Sequence, residues 1–239
     1  MGVLDSIVAI ETIPANSSDR FAKHVKPLRC PAVAGTLRLQ FQFGIIASLI
    51  LVNSSIRMQV YFIRHGQTNY NLLHLCNDVI EKPVALTEQG KRQAIAVAEK
   101  LQSVYFDKII VSELPRTRQT ADIINHTRQV PILTQSLIND IRSGYDSQPV
   151  AEYQQAISHD RMHACVNGGE SLLQHKQRVL KFIHWLQQQP DKCVLVIAHE
   201  ETLRVFKAVF ESLDDTSMID LSFDNCAMLH YSLENNSQA

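Results

Sequence analysis

The chain has no surplus of either charge. Its 239 residues include 23 lysines and arginines against 24 aspartates and glutamates, a formal net charge of −1. It therefore lacks an overall field for gripping nucleic acid or an anionic membrane, and neither partner is expected; only a local basic pocket stays open. Cysteine is scarce and scattered: Cys30, Cys76, Cys165, Cys193 and Cys226 form no C-x-x-C pair and no zinc-finger spacing. That pattern argues against a disulfide framework and suggests reduced thiols in a cytoplasmic protein. Long apolar runs are missing as well. The longest, GIIASLILV at residues 44–52, is far short of the roughly 20 residues that cross a bilayer, and it lies too deep in the chain for a secretory signal. Repeats and low-complexity tracts are also absent. With 45% hydrophobic residues, the chain can bury the core of one large domain, or of one domain with an appendage.

The first 57 residues read differently from the rest. Residues 1–43 show no sustained period, and Pro14, Pro27 and Pro31 interrupt any helix. From Met58 the pattern becomes regular, so the expected division is an N-terminal extension, 1–57, and a catalytic domain, 58–239. Met58 is read as the natural start, with a genuine appendage that docks through GIIASLILV as the competing idea. Short β-rich apolar segments are expected as strands over residues 59–64, 108–112, 130–133, 192–198 and 227–233. Helical periodicity falls between them, over 88–104, 115–126, 150–158 and 171–189, with a further helix directly behind Ala198. Thr87 is a natural cap for the first of these, and Pro115 suits the first turn of the second. Alternation of this kind predicts an α/β fold, a three-layer α/β/α sandwich with a central, mostly parallel sheet.

Three of the expected strands lead to cationic or imidazole side chains: the first to Arg64 and His65, the second through a short loop to Arg116, the third to His199. Ligands of open α/β sheets bind beyond the carboxyl ends of the strands. Residues 52 and 134 positions apart can therefore surround one point. Such a cluster repels itself unless an anion sits among its members, and a tetrahedral phosphate fits forked arginine donors and a directional imidazole.

The segment VYFIRHGQTNYN, residues 60–71, resembles the R-H-G signature of the histidine phosphatase superfamily, the phosphoglycerate-mutase-like group. LTEQGKRQA (86–94), SELPRTRQTA (112–121), GGES (168–171) and VLVIAH (194–199) resemble further blocks of that family in the expected order. Five ordered blocks are far more specific than three letters. The resemblance covers about residues 58–233 and implies the phosphoglycerate-mutase-like fold, with a phosphohistidine mechanism. His65 would attack the phosphorus of a small phosphorylated metabolite. Arg64, Arg116 and His199 would hold the phosphoryl oxygens, and Asn71 would add a polar contact. No metal or other cofactor is implied. In LINDIRSG (137–144), Asp140 occupies the place of the family's acid, usually a glutamate, and is the expected acid/base.

Two departures from the family stand out. Aspartate is one methylene shorter than glutamate. After His199 the family often has two glycines, where this chain has Glu200 and Glu201; they must point away from the phosphate or pair with a cation such as Arg204. Glu200 is the second choice for the acid, and Arg142 is expected to read another anionic group on the substrate. Glu170 of GGES is read as structural, Phe182 and Trp185 as core, and His159 with His163 as solvated surface. The favoured activity is a compact, metal-independent phosphatase, with a homodimer as the default oligomer. The alternatives are a phosphoglycerate mutase-type phosphoryl transferase and, from another class, a non-catalytic phosphate-binding regulator.

Overall fold

The computed structural model describes Val8–Ala9 and residues 57–234. Most of the extension, including GIIASLILV, lies outside the described residues. Six strands form one sheet: β1 (Val8–Ala9), β2 (Arg57–Arg64), β3 (Lys108–Val111), β4 (Ile132–Thr134), β5 (Cys193–Ala198) and β6 (Met228–Glu234). Their order is β1-β6-β2-β5-β3-β4. The four central and far strands β2, β5, β3 and β4 run parallel, whereas β6 is antiparallel to both β2 and β1. The sheet is thus mostly parallel, as expected, with one reversed strand beside β2.

Helices cover both faces. On one lie α2 (Glu88–Lys100) and α3 (Pro115–Ile124); on the other lie α5 (Leu172–Gln187) and α6 (Glu200–Phe210). The strand residues divide accordingly. Val194, Val196 and Ala198 of β5 join Phe62, Phe182 and Phe206 in one core, while Leu195 and Ile197 join Ile63, Ile109, Val97 and Ala121 in the other. A strand buried on both faces has to be apolar at every position, which is why CVLVIA reads as an unbroken run rather than an alternation. Each fully buried side chain of this kind contributes about 1.5–3 kcal/mol. Together the two cores hold the strand ends in fixed relative positions.

The helix starts follow the sequence signals. Thr87 accepts from the Gly90 amide at the start of α2, Pro115 opens α3, and Ser171 forms a reciprocal capping box with Gln174 on α5. Three short elements were not anticipated: α1 (Asn69–Leu73), a 3-10 turn (Ser136–Ile138) and α7 (Asp215–Ile219). Helix α4 (Val150–Ala156) completes the set. Helix α2 also stops at Lys100 rather than residue 104, because Leu101 leaves helical geometry and begins a turn.

Candidate active site

The segment after β2 is held from three sides. The His65 amide donates to the Ala198 carbonyl of β5 at 3.0 Å, and the Gly66 amide donates to the Thr120 hydroxyl of α3 at 3.1 Å. Gly66 packs directly on Gly90: a Cβ added to Gly66 would lie 2.6 Å from the Gly90 carbonyl oxygen, and one on Gly90 only 2.0 Å from that of Gln67. This close approach explains two glycines that lie 24 positions apart, one in R-H-G and one in L-T-x-x-G. Asn225, which no sequence pattern marked, donates to the His65 carbonyl at 3.2 Å.

Within this frame the structure brings Arg64, His65, Arg116, Asp140 and His199 together. The His65 Nδ1 lies 2.8 Å from the Gly66 carbonyl oxygen. A carbonyl only accepts, so Nδ1 carries the proton and Nε2 keeps its lone pair. Arg116, buried near the start of α3, donates from Nε to that Nε2 at 3.0 Å and from Nη2 to Asp140 Oδ2 at 2.6 Å. The His65 and His199 rings are 5.4 Å apart. His199 meets the Ser112 hydroxyl through Nε2 at 2.9 Å, and its Nδ1 stands 3.6 Å from Asp140 Oδ2. Arg64 donates to the Phe223 carbonyl and pairs with Glu200 at 2.7 Å.

The electrostatics follow from burial beside fixed cations. Burial, then Arg116 and Arg64, hold the His65 imidazole well below its usual pKa, so it is neutral at physiological pH. His199 is depressed in the same direction, by burial first and then by Arg116 and His65. Asp140 moves the other way, up to about 7, because burial and the nearby Glu201 carboxylate outweigh the attraction of Arg116. Two buried polar atoms of this cluster, His199 Nδ1 and Arg64 Nε, have no hydrogen-bond partner. An oxyanion bound among these residues would supply the acceptors such atoms need.

A pocket of about 690 Å³ is lined by Arg64 and Asp140 of this cluster. Glu200, Glu201, Tyr70, Tyr153, Ile157 and Arg161 are among its other lining residues. Asn71 lines it too, but its Oδ1 is committed to the Thr68 amide and to Asn225. It caps α1 and braces the loop behind His65. Glu200 is fully paired, with Arg64 and with Arg204 at 3.0 Å. Its neighbour Glu201 lines the same pocket, and its charge helps to raise the Asp140 pKa.

Arg142 departs from expectation. It is exposed and absent from the pocket wall. Glu170 holds its backbone on both sides, accepting from the Arg142 amide at 3.2 Å and donating its own amide to the Arg142 carbonyl at 2.7 Å, and this turns the side chain outward. Arg161 is the basic residue that reaches the pocket instead, paired with Asp220 at 3.0 Å.

The support beneath Asp140 is a buried group that sequence reading only half found. Arg178 of α5 donates to the carbonyls of Leu137 (3.0 Å), Asn139 (2.9 Å) and Asp140 (3.1 Å), and it also pairs with Glu170. Burial alone would raise the Glu170 pKa, but His175 and Arg178 outweigh it and hold it at about 2. Glu170 is structural, as expected; nothing in the sequence marked Arg178. His163 pairs with Asp160 on the surface, and no cluster able to hold a metal ion occurs among the described residues. No helix among them is long and apolar enough to cross a membrane.

Fold and site together are an α/β sandwich that gathers two arginines and two histidines at the ends of its parallel strands. The chain belongs to the histidine phosphatase superfamily (branch 1), whose family model matches residues 60–239. An adenosylcobalamin/alpha-ribazole phosphatase of Escherichia coli is 31% identical over 63% of this chain and 78% of its own length. A protein of Erwinia tasmaniensis named "Probable phosphoglycerate mutase GpmB" is 26% identical over 72% of this chain and 83% of the relative. The crystal structure of the alpha-ribazole phosphatase from Shigella flexneri superposes with a TM-score of 0.67 at 26% identity, covering 75% of this chain and 97% of that one. These relatives support a phosphatase or mutase activity.

Proposed function

We propose that this chain is a metal-independent phosphatase that hydrolyses a small phosphorylated metabolite in the cytoplasm through a phosphohistidine on His65. The single observation that carries this reading is the state of His65. A neutral imidazole with Nδ1 tied to a carbonyl presents the Nε2 lone pair among two arginines.

A phosphoryl dianion entering the site competes for both Arg116 donors. Losing them frees the His65 lone pair and removes a cation from Asp140, which favours the protonated acid. Arg64, Arg116 and His199 then hold the non-bridging oxygens, where charge builds in the transition state. For His199 this uses the tautomer in which Ser112 donates to Nε2 and Nδ1 carries the proton. Nε2 of His65 bonds to phosphorus as the ester P–O bond breaks, and Asp140 gives its proton to the leaving alkoxide. A water then loses a proton to the Asp140 carboxylate and attacks phosphorus. The P–N bond breaks, inorganic phosphate leaves, and both residues return to their starting forms.

The test is hydrolysis of para-nitrophenyl phosphate by the full chain with EDTA present. Turnover that survives chelation and disappears in His65→Ala is expected. Folded protein that binds phosphate without turnover would sink the hydrolase reading. The Erwinia relative motivates a second reading, phosphoryl transfer between hydroxyls of one substrate, which interconversion of phosphoglycerates would reveal.

A further inference from the structure

The two histidines of the cluster need opposite things from the groups behind them. His65 offers a lone pair at Nε2, and the Gly66 carbonyl behind the ring holds the proton on Nδ1. His199 turns Nδ1 toward the cluster, 3.6 Å from Asp140 Oδ2, and that buried atom has no hydrogen-bond partner. To serve phosphoryl oxygens Nδ1 must donate, so the group behind Nε2 has to give a proton, which a carbonyl cannot do. Behind Nε2 stands the Ser112 hydroxyl at 2.9 Å, buried just past the end of β3.

Ser112 is itself held by two groups. Its Oγ accepts the Leu114 amide at 3.2 Å and lies 3.0 Å from the Thr117 hydroxyl of α3. Thr117 is buried too, and its hydroxyl also reaches the carbonyls of Leu114 (2.9 Å) and Ser112 (3.2 Å). With one proton per hydroxyl, this chain closes in two directions. In one, Thr117 donates to Ser112 and Ser112 donates to His199 Nε2. In the other, Nε2 donates to Ser112, Ser112 to Thr117, and Thr117 to a carbonyl. The far side of the ring selects between them. Both Asp140 oxygens already accept, Oδ2 from Arg116 at 2.6 Å and Oδ1 from the Ile141 amide at 3.0 Å. A lone pair on His199 Nδ1 would set acceptor against acceptor there, and again against a bound phosphate. A proton on Nδ1 suits both.

We propose that Ser112 and Thr117 are positioning residues for His199: their hydroxyls donate in series to Nε2 and keep a proton on Nδ1, aimed at the phosphoryl oxygens. This rests on the phosphohistidine hydrolase reading of the same site. With Leu114 and Thr117 filling both lone pairs of Ser112, its proton has only Nε2 to meet. The block SELPRT thereby gains a second task. Arg116 of that block reaches the cluster itself, while Ser112 and Thr117 on either side of it act through a histidine 87 positions beyond Ser112.

The experiment uses the full chain labelled with ¹⁵N-histidine, whose ring nitrogens report by NMR which of them is protonated. His199 is identified as the signal missing from His199→Gln. At neutral pH, with and without inorganic phosphate, wild type should show Nδ1 protonated and Nε2 bare. In Ser112→Ala that single form should give way to a mixture of tautomers. Thr117→Val, which leaves the Leu114 amide its acceptor, should do the same to a lesser degree, and Ser112→Thr should keep the single form. Ser112→Ala should also lower kcat about tenfold, on para-nitrophenyl phosphate and glycerol 2-phosphate alike, because both esters present the same oxygens to His199. Ser112→Thr should recover most of that rate. Added to His199→Gln, Ser112→Ala should cost nothing further, whereas a merely structural loss would add. Nε2 protonated in wild type, a tautomer unmoved in both hydroxyl-free variants, or losses that add would each overturn the proposal. Wild type inactive on both esters, but with Nδ1 protonated and that form lost in Ser112→Ala, removes the hydrolase reading and leaves the hydroxyl pair standing.

Discussion

The cluster of Arg64, His65, Arg116 and His199 and the wall of the pocket beside it are built differently. The cluster sits at or just beyond the ends of β2, β3 and β5, fixed by two apolar cores and by backbone hydrogen bonds. On the pocket wall, Tyr70, Tyr153, Ile157 and Arg161 come from short helices and loops, partly or fully exposed. The first part rests on long-range sheet packing. The second rests on local turns, which tolerate change. One scaffold can therefore keep its chemistry while its leaving-group specificity drifts, which is why the fold alone does not name the substrate.

The largest expected effect lies in the cluster. His65→Ala should reduce kcat on any phosphomonoester by on the order of 10⁴-fold or more, measured by release of inorganic phosphate. A residual rate near wild type would break the comparison at its centre. Arg116→Ala should cost roughly 10²–10³-fold, since it removes one preorganised donor to the developing charge. Steady-state kinetics on two esters with different leaving groups checks this: the losses should match, because both esters present the same phosphate.

A structural variant sharpens the contrast from below. Glu170→Gln leaves Arg178 facing the Asp140 loop without its partner charge, and should lower stability by about 2–3 kcal/mol, a fall in Tm of about 5–10 °C. The pH dependence has a definite sign. The folded Glu170 sits at about 2, below its unfolded value, so its contribution is present above the unfolded pKa and fades as pH falls from about 4.5 toward 2. Thermal melts across that range should converge for wild type and Glu170→Gln at the acid end; parallel curves would remove the pair from the account of stability.

The smallest effects belong to the pocket wall. Tyr153→Ala and Arg161→Ala should change KM by up to about tenfold, to an extent that differs between esters, with kcat affected less. Equal losses on every ester would mean that these side chains serve the phosphate instead.

What the sequence revealed follows the same division. The central strand β5 was legible because a parallel strand covered on both faces must be apolar throughout, and CVLVIA is. Asp140 was legible because the family spacing to Gly144 marked it. Helix α1 was not, since it is one turn long and its cap, Thr68 with Asn71, departs from the usual pairing with Glu or Gln. Arg142 was assigned to the pocket because it lies two residues from Asp140, but direction within an irregular loop depends on what grips the backbone, here Glu170 from a distant segment. Glu200 and Glu201 point about 100° apart around a helix. Which of them pairs with Arg64 depends on the angle at which α6 leaves His199, and local sequence does not encode that angle.

The most direct test of the phosphohistidine route is a rapid-quench trap of the enzyme during turnover of a ³²P-labelled ester. An acid-labile, base-stable label on His65, approaching one per chain and absent from His65→Ala, is the expected result. Turnover that leaves no label on the protein, or a label on another residue, would contradict it.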